Sequence, residues 1–282
     1  MFNLTIENKD GQRLDLTNER NCVVIGIDGL TPPLADIATS TIAMNDGARF
    51  NSATVNQRNI VIRLQLIADV ENTRILLYRY FRIKQYCKIF YKNSNRDVYC
   101  EGYIETFEND RFAINNQVDI SIICPSPWFK TLNEVVFDMS QVLPMFEFLF
   151  DIEKEGEEFS VLNKNTRTTV INSGDIETGI IMELRATSDV VNPRIYNADT
   201  NEMIGLNFEM QGGDVIRIST VKGSKYVRLI RDGVTSNIIN ALMKNPVWFQ
   251  VSTGETPFTY DCTSGNEFFS VQFAIQNLFE GV

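Results

Sequence analysis

Hydrophobic and polar residues alternate along many stretches of this chain, a pattern typical of β-strands with one buried face. The clearest case is 59–68, where Ile60, Ile62, Leu64 and Leu66 alternate with more polar residues. The same signal, bounded by turn residues, predicts further strands at 87–92, 98–107, 112–124, 179–186, 203–210, 215–220, 225–231, 247–251 and 267–276. The chain is therefore expected to be mainly β.

One segment has a helical period instead. Residues 71–84 place apolar side chains at spacings that form a single face of an amphipathic helix. The residues of this predicted face are Ile75, Leu76, Tyr80, Phe81 and Ile83. We expect the helix to pack on a sheet.

Two prolines divide the chain. Pro125 and Pro127 lack amide donors and would stop a sheet ladder, which predicts a domain boundary just after them. We expect an N-terminal β-sheet or sandwich domain with one α-helix at 1–130, a connector at 131–158 and a C-terminal β-sandwich at 159–276. Residues 277–282 could reach back and complete the first domain.

Composition indicates a soluble globular protein. Of the 282 residues, 44% are hydrophobic and 22% charged. No apolar run approaches the roughly 18 residues that a membrane span needs. The first residues show no basic region followed by an apolar one, so we expect no signal peptide and synthesis in the cytoplasm. The five cysteines form no CxxC pair and are expected to be reduced.

Charge and histidine content exclude several classes of function. The net charge of −10 argues against a nucleic-acid partner, because neutralising phosphates supplies most of the affinity of such binders. The chain has no histidine, which removes the usual general base and the commonest ligand of catalytic zinc. No phosphate-binding loop or carboxylate pair with catalytic spacing emerges. We predict no enzyme activity, no cofactor and no metal.

The segment 25–52 is the most informative part of the sequence. It joins an apolar strand start and a Gly/Pro turn to a run of small residues that ends in Asp46-Gly47-Ala48-Arg49-Phe50. Its apolar side chains are too few for a core strand, and its pattern is too regular for a random loop. We interpret it as an extended arm whose burial partner lies outside its own domain, with a tight turn at Asp46-Gly47.

An ordered set of short motifs spans almost the whole chain. The motifs are Gly29-Leu30 before Pro32-Pro33, residues 43–51, Asn59-Ile60-Val61-Ile62, Leu77-Tyr78, Gly102-Tyr103-Ile104-Glu105, residues 120–125, Asn172-Ser173-Gly174-Asp175, Asn192-Pro193, and Gly213-Asp214-Val215-Ile216 followed by Ile218-Ser219-Thr220. Together they resemble the distal tail protein of siphophages, or related prophages, that infect Gram-positive bacteria.

The resemblance implies a structural role in the phage tail tip of the virion. In that family an N-terminal domain assembles into a hexameric ring around the tail channel, and a galectin-like or carbohydrate-module-like sandwich projects outward. The implied partners are the major tail protein, the end of the tape measure protein, the tail hub or tail-associated lysin protein, and receptor-binding or baseplate proteins. The candidate residues for the interface between subunits are Gly29, Pro32, Pro33, Asp46, Gly47, Ala48, Arg49 and Phe50.

An alternative function is a carbohydrate-binding module that contributes to attachment to the host cell wall. Sandwich domains can bind sugars by stacking them on exposed aromatic rings, for which Trp248, Tyr226 and Tyr260 are the candidates. Trp248 lies within Val247-Trp248-Phe249, where an aromatic residue of the sandwich core is the favoured interpretation.

Overall fold

The computed structural model describes residues 2–44, 46–109, 116–144, 160–164 and 167–282. It is mainly β and has one α-helix among the described residues, which confirms the predicted fold class. The chain forms two compact units, unit 1 with Met1–Leu132 and Leu278–Val282, and unit 2 with Asn133–Asn277. The start of the predicted strand 112–124, residues 145–158 of the predicted connector and residue 159 of the predicted C-terminal domain lie outside the described residues.

Unit 1 is built from antiparallel strands and the helix α1 (Val70–Tyr80). Its strands are β1 (Asn3–Asn8), β2 (Arg13–Asp15), β3 (Cys22–Asp28), β4 (Ala35–Thr41), β5 (Ala48–Val55), β6 (Arg58–Leu66), β7 (Tyr86–Lys92), β8 (Asp97–Asn109), β9 (Gln117–Cys124) and β10 (Phe129–Thr131).

The main sheet of unit 1 has the strand order β2-β1-β7-β8-β9-β6-β3. Strand β6 shows why the sequence folds this way, because Ile60, Ile62, Leu64 and Leu66 all point to the buried face. This alternation confirms the strand predicted at 59–68. Strand β3 forms one edge of the sheet, whereas β4 and β5, among the described strands, pair only with each other.

The helix region buries a face that coincides only in part with the predicted one. Thr73, Leu77 and Phe81, spaced four residues apart, are buried, and Arg74 is 6% exposed. Ile75 of the predicted face is 47% exposed. The predicted face is right for Phe81 and wrong for Ile75. It also missed Leu77 and Thr73, whose hydroxyl donates a hydrogen bond to the Ala68 carbonyl at 3.1 Å.

The described residues of unit 2 form short antiparallel strands and two 3-10 helices at Ile239–Ala241 and Asn266–Phe268. Its strands are β11 (Val135–Asp138), β12 (Ser140–Pro144), β13 (Ser160–Lys164), β14 (Arg167–Asn172), β15 (Thr178–Ala186), β16 (Val190–Val191), β17 (Arg194–Asn197), β18 (Met203–Gly205), β19 (Glu209–Met210), β20 (Val215–Ser219), β21 (Tyr226–Arg231), β22 (Val234–Asn237), β23 (Gln250–Val251), β24 (Gly254–Asp261) and β25 (Phe269–Ile275).

The strands of unit 2 form a sandwich. One sheet has the order β11-β25-β15-β20-β21-β22 and the other β14-β24-β17-β18. The core lies between them, where the ring of Phe258 on β24 is 5.0 Å from that of Phe273 on β25. The predicted strand 203–210 is broken into β18 and β19, and only β23 forms within 247–251. Strand β11, in the region predicted as a connector, pairs with β25.

The last residues belong to unit 1. Strand β26 (Leu278–Phe279) pairs with β10, and β10 in turn pairs with β8. The amide of Val282 donates to the Leu30 carbonyl at 3.0 Å, close to where the chain leaves the sheet toward β4.

Candidate interaction surface

The arm predicted from the sequence is a β-hairpin formed by β4 and β5. All the residues of both strands are exposed, so the hairpin has no cover from the described part of its own unit. The last paired residues at its tip are Thr41 and Ala48. The prediction of a tight turn at Asp46-Gly47 is therefore wrong, because the longer segment 42–47 connects the two strands.

The register makes the hairpin amphipathic. Residues paired across two strands point to the same face, and side chains alternate between faces along each strand. The pairs Ala35–Val55, Ile37–Ala53, Thr39–Phe50 and Thr41–Ala48 therefore share one face, which we call the hairpin's apolar face. The other face carries Asp36–Thr54, Ala38–Ser52 and Ser40–Arg49.

The apolar face is left open to solvent. Ile37 is 63% exposed and Phe50 is 62% exposed, and Met44 at the tip is fully exposed. A two-stranded hairpin is at best marginally stable in water, and contiguous exposed apolar surface marks interaction sites. Because none of the described residues covers it, the hairpin's apolar face is a candidate interaction surface.

Arg58 fixes the base of the hairpin. It is 3% exposed, and its guanidinium lies 4.5 Å above the ring of Phe129. It donates hydrogen bonds to the carbonyls of Pro127 (2.6 Å) and Thr31 (2.8 Å), and also to those of Gly29 and Glu280. Burial lowers the pKa of Arg58, an effect that the nearby thiols of Cys100 and Cys124 oppose. Backbone dipoles therefore take the place of a carboxylate partner.

Gly29 is required where the chain turns toward the hairpin. Its φ of 84° lies in the left-handed region, and a Cβ atom there would stand 2.1 Å from the Asn59 carbonyl oxygen. A cavity of about 370 Å³ lies next to it, between the segments that lead into and out of the hairpin. It is lined by Gly29, Thr31, Pro32, Pro33, Leu34, Asn56, Gln57, Arg58 and Asn59.

The structure thus places the eight interface candidates at two locations on one element. Gly29, Pro32 and Pro33 line the cavity at the hairpin base. The other five lie at the far end, Asp46 and Gly47 in the connecting segment and Ala48, Arg49 and Phe50 at the start of β5. Sequence reasoning missed Arg58, since a single arginine at a strand start carries no signal of its own. It also missed Ile37 and Met44.

The three carbohydrate candidates have unequal surroundings. Tyr260 is 3% exposed, its ring meets that of Phe269 edge-on at 5.0 Å, and burial raises its pKa. Tyr260 is therefore a core residue and offers no face to a sugar, which corrects the sequence expectation. Trp248 is half-buried against the core with the ammonium of Lys225 5.3 Å from its ring. Tyr226 is half-buried under the guanidinium of Arg228.

The cysteines and acidic residues do not assemble into a metal site in the described part of the chain. It holds no group of three or more histidine, cysteine, aspartate or glutamate side chains arranged to bind a metal. No helix in these ranges is long and apolar enough to cross a membrane. The cysteines at 22, 87, 100, 124 and 262 are buried and unpaired. Burial raises the pKa of the Cys87 thiol to about 12 and that of Cys22 to about 11.

Comparison with known proteins yields a matching family model and a shared fold. Residues 173–275 match a family model described as the C-terminal domain of siphovirus-type tail components. The whole fold is similar to the Dit protein of phage SPP1, with a TM-score of 0.71, 14% identity, and coverage of 98% of this chain and 99% of that one. The SPP1 protein is described as a paradigm of the hub adsorption apparatus in phages infecting Gram-positive bacteria.

A second solved structure has the same fold. A chain of the phage P2 baseplate, in its activated conformation with calcium, has a TM-score of 0.59 and 11% identity, and the match covers 100% of both chains. No curated protein sequence matches this chain. The family model and the shared fold confirm the resemblance to siphophage distal tail proteins that the motifs carry.

Proposed function

We propose that this chain, whose residues 173–275 form a siphovirus-type tail component domain, is a structural, non-enzymatic protein of the distal end of a phage tail. The observation that carries the proposal is the family match in unit 2, together with a fold that this chain shares with almost the whole of the SPP1 Dit protein. Under this proposal the protein is part of the virion, at the tail tip, after synthesis in the host cytoplasm.

We further propose that copies of the chain assemble into a ring, with the six subunits that the resemblance implies. The hairpin's apolar face supports this, because Ile37, Phe50 and Val55 are open to solvent and a neighbouring copy would cover them. Strand β3 at the sheet edge adds a second surface, since Val23 and Ile25 are exposed beside an unpaired edge. Exposed edges of this kind are covered in native assemblies.

The two locations of the interface candidates suit a head-to-tail contact. The hairpin tip carries apolar side chains, whereas the hairpin base has a cavity lined by Pro32, Pro33 and Leu34. When a projection and a cavity lie on different parts of the same molecule, the contact between them repeats from copy to copy and closes into a ring if the rotation allows. The hairpin of one copy would then reach the base of the next.

The proposed ring joins the tail tube to the baseplate apparatus. Its partners would be the major tail protein on one side, and the tail hub or tail-associated lysin protein with receptor-binding or baseplate proteins on the other. The similarity to the SPP1 protein, a hub of the adsorption apparatus, supports this assignment.

Light scattering coupled to size-exclusion chromatography, followed by negative-stain microscopy, tests the ring. We expect a closed ring for the full chain and loss of the ring when residues 36–54 are replaced by a short glycine-serine linker, with both units still folded. Phe50→Ser should weaken assembly, whereas Val234→Ser, which alters a similarly exposed side chain of unit 2, should not. A full chain that stays monomeric over the accessible concentrations, alone and with the tail tube protein, would contradict the proposal.

A further inference from the structure

The outward face of the larger sheet of unit 2 has an unusual arrangement of charge. The strand register aligns one row of outward side chains across six strands. The members of this row are Asp138, Gln272, Glu183, Arg217, Arg228 and Asn237. Within it, Arg217 on β20 and Arg228 on β21 are directly opposite each other. Like charges in directly opposed positions destabilise a sheet, so this pair has a cost that the fold alone does not explain.

Local carboxylates do not balance these cations. Glu183 accepts hydrogen bonds from both Arg185 and Arg217, each at 2.6 Å, so one carboxylate serves two guanidinium groups. Burial alone would raise the pKa of Glu183, but these two bonds lower it overall. Among the described residues, no carboxylate lies within ion-pair distance of Arg228. The imbalance is local, because the chain as a whole carries a net charge of −10.

The guanidinium of Arg228 is held in place by an aromatic ring. Its Cζ atom lies 4.3 Å from the centre of the Tyr226 ring, which fixes the charge near Arg217 at little entropic cost. An oxyanion between Arg217 and Arg228 would accept hydrogen bonds from both and turn their repulsion into attraction. Arg217 and Arg228 are called the arginine pair below.

We propose that the arginine pair binds the carboxylate or phosphate groups of an extended anionic polysaccharide. The outward face of a sheet is not a pocket, whereas sites for small molecules are concave. The most exposed outward neighbours, Thr235 and Asn237, are polar, and the apolar neighbours Val215 and Ile230 are half-buried, so this surface lacks the exposed large apolar anchors of a protein interface. The proposal does not depend on ring assembly.

Calorimetric titration of the full chain tests the proposal, with polygalacturonate as the carboxylate polymer and neutral dextran as its uncharged counterpart. We expect binding of polygalacturonate that weakens as ionic strength rises, and no binding of dextran. Arg217→Gln and Arg228→Gln should each weaken binding about tenfold. Arg13→Gln is the matched control, because Arg13 is also an exposed arginine stacked on an aromatic ring, 4.6 Å from the centre of Phe90, but in unit 1.

Thermal melting separates binding from folding. Without polymer, Arg228→Gln should melt no lower than the parent chain, because it removes a like-charge repulsion. With polygalacturonate, the melting temperature should rise for the parent chain and for Arg13→Gln, but not for Arg228→Gln.

Three results would overturn the proposal. The first is no binding of polygalacturonate at low ionic strength, and the second is equal binding by the parent chain and Arg228→Gln. The third is binding of poly-glutamate as tight as that of polygalacturonate or tighter, which would make an acidic protein the occupant of the surface.

Discussion

The β4–β5 hairpin of unit 1 and the β20–β21–β22 strands of unit 2 are both antiparallel, and both have alternating side chains. In unit 2 the inward residues Ile216, Ile218 and Val227 are buried in the sandwich core. In the hairpin the corresponding face, with Ile37 and Phe50, is open. Alternation therefore shows that a strand has an apolar face but not where its cover comes from. Where the described part of the molecule supplies none, the apolar face is a candidate interaction surface.

The largest expected effect comes from truncating one aromatic residue in each region. Phe273→Ala removes a fully buried ring that packs on Phe258, and it should lower the free energy of unfolding by about 3–5 kcal/mol in urea denaturation. Phe50→Ala should change the stability of the monomer by less than about 0.5 kcal/mol, because its ring is exposed there. A large loss of unfolding free energy for Phe50→Ala in the monomer would show that the ring of Phe50 is covered within the chain, which would contradict the contrast between the two regions.

The next prediction concerns the base of the hairpin. Arg58→Met leaves four carbonyl groups without their donor and should cost about 3 kcal/mol of unfolding free energy. It should also make the segment 29–34 more sensitive to limited proteolysis. Arg63→Met on the same strand is the control, because Arg63 forms exposed ion pairs with Asp28 and Asp119 and should cost less than about 1 kcal/mol. Equal losses for both variants would show that Arg58 has no special role.

Two glycines, Gly29 at the hairpin base and Gly47 at its tip, allow the two ends of the hairpin to be compared. Gly29→Ala combines a left-handed φ with a Cβ that meets the Asn59 carbonyl, so it should cost about 2 kcal/mol or more by thermal unfolding. Gly47→Ala also has a positive φ, of 90°, but no neighbour within 4 Å, and should cost about 1 kcal/mol. Similar values for the two substitutions would mean that the base is as adaptable as the tip.

The smallest expected effect is on the pH dependence of stability, and it concerns the larger sheet of unit 2 alone. Asp214 accepts hydrogen bonds from Arg231 at 2.7 Å and from the Gln211 amide at 2.8 Å. The bond from Arg231 lowers the pKa of Asp214 below its usual 3.8, although burial opposes it.

The folded chain therefore binds this proton less readily than the unfolded chain. The stabilisation is complete above pH 3.8 and is lost as pH falls through the lowered pKa. Asp214→Asn should flatten the acid limb of unit 2 unfolding, as followed by Trp248 fluorescence. Asp138→Asn, at an exposed aspartate of the same sheet, is the control for the change of charge. An acid limb in Asp214→Asn as steep as in the parent chain would exclude this mechanism.

The sequence predicted the fold class well where burial follows side-chain type. Strand β6 is an example, because its isoleucines and leucines alternate with less buried residues and all of them are buried. Prediction failed where a polar residue is buried through its hydrogen bonds, as with Thr73 in the helix. It failed again at Tyr260, since the sequence of a strand does not show by itself whether an aromatic ring faces the core or the solvent.

The candidate surfaces were predictable only in part. The segment 25–52 stands out by its lack of bulky apolar residues, so the arm was predicted, but its apolar face depends on the pairing of Thr39 with Phe50 around a bulge. Likewise, Arg217 and Arg228 are ordinary strand residues in the sequence and become neighbours only through the register of β20 and β21. Register follows from the hydrophobic pattern together with the turn that joins the two strands, and the alternation within a single strand does not specify it alone.

The bond from Arg58 to the Glu280 carbonyl joins residues 222 positions apart in the chain. During translation at about 5–20 residues per second, Arg58 waits roughly 10–45 s for this acceptor to be made. All of residues 133–277 emerge from the ribosome in that interval. The hairpin base therefore reaches its final form only on chains whose translation has passed residue 280. An interrupted polypeptide would carry the hairpin without one of the four carbonyl acceptors that hold Arg58 at its base.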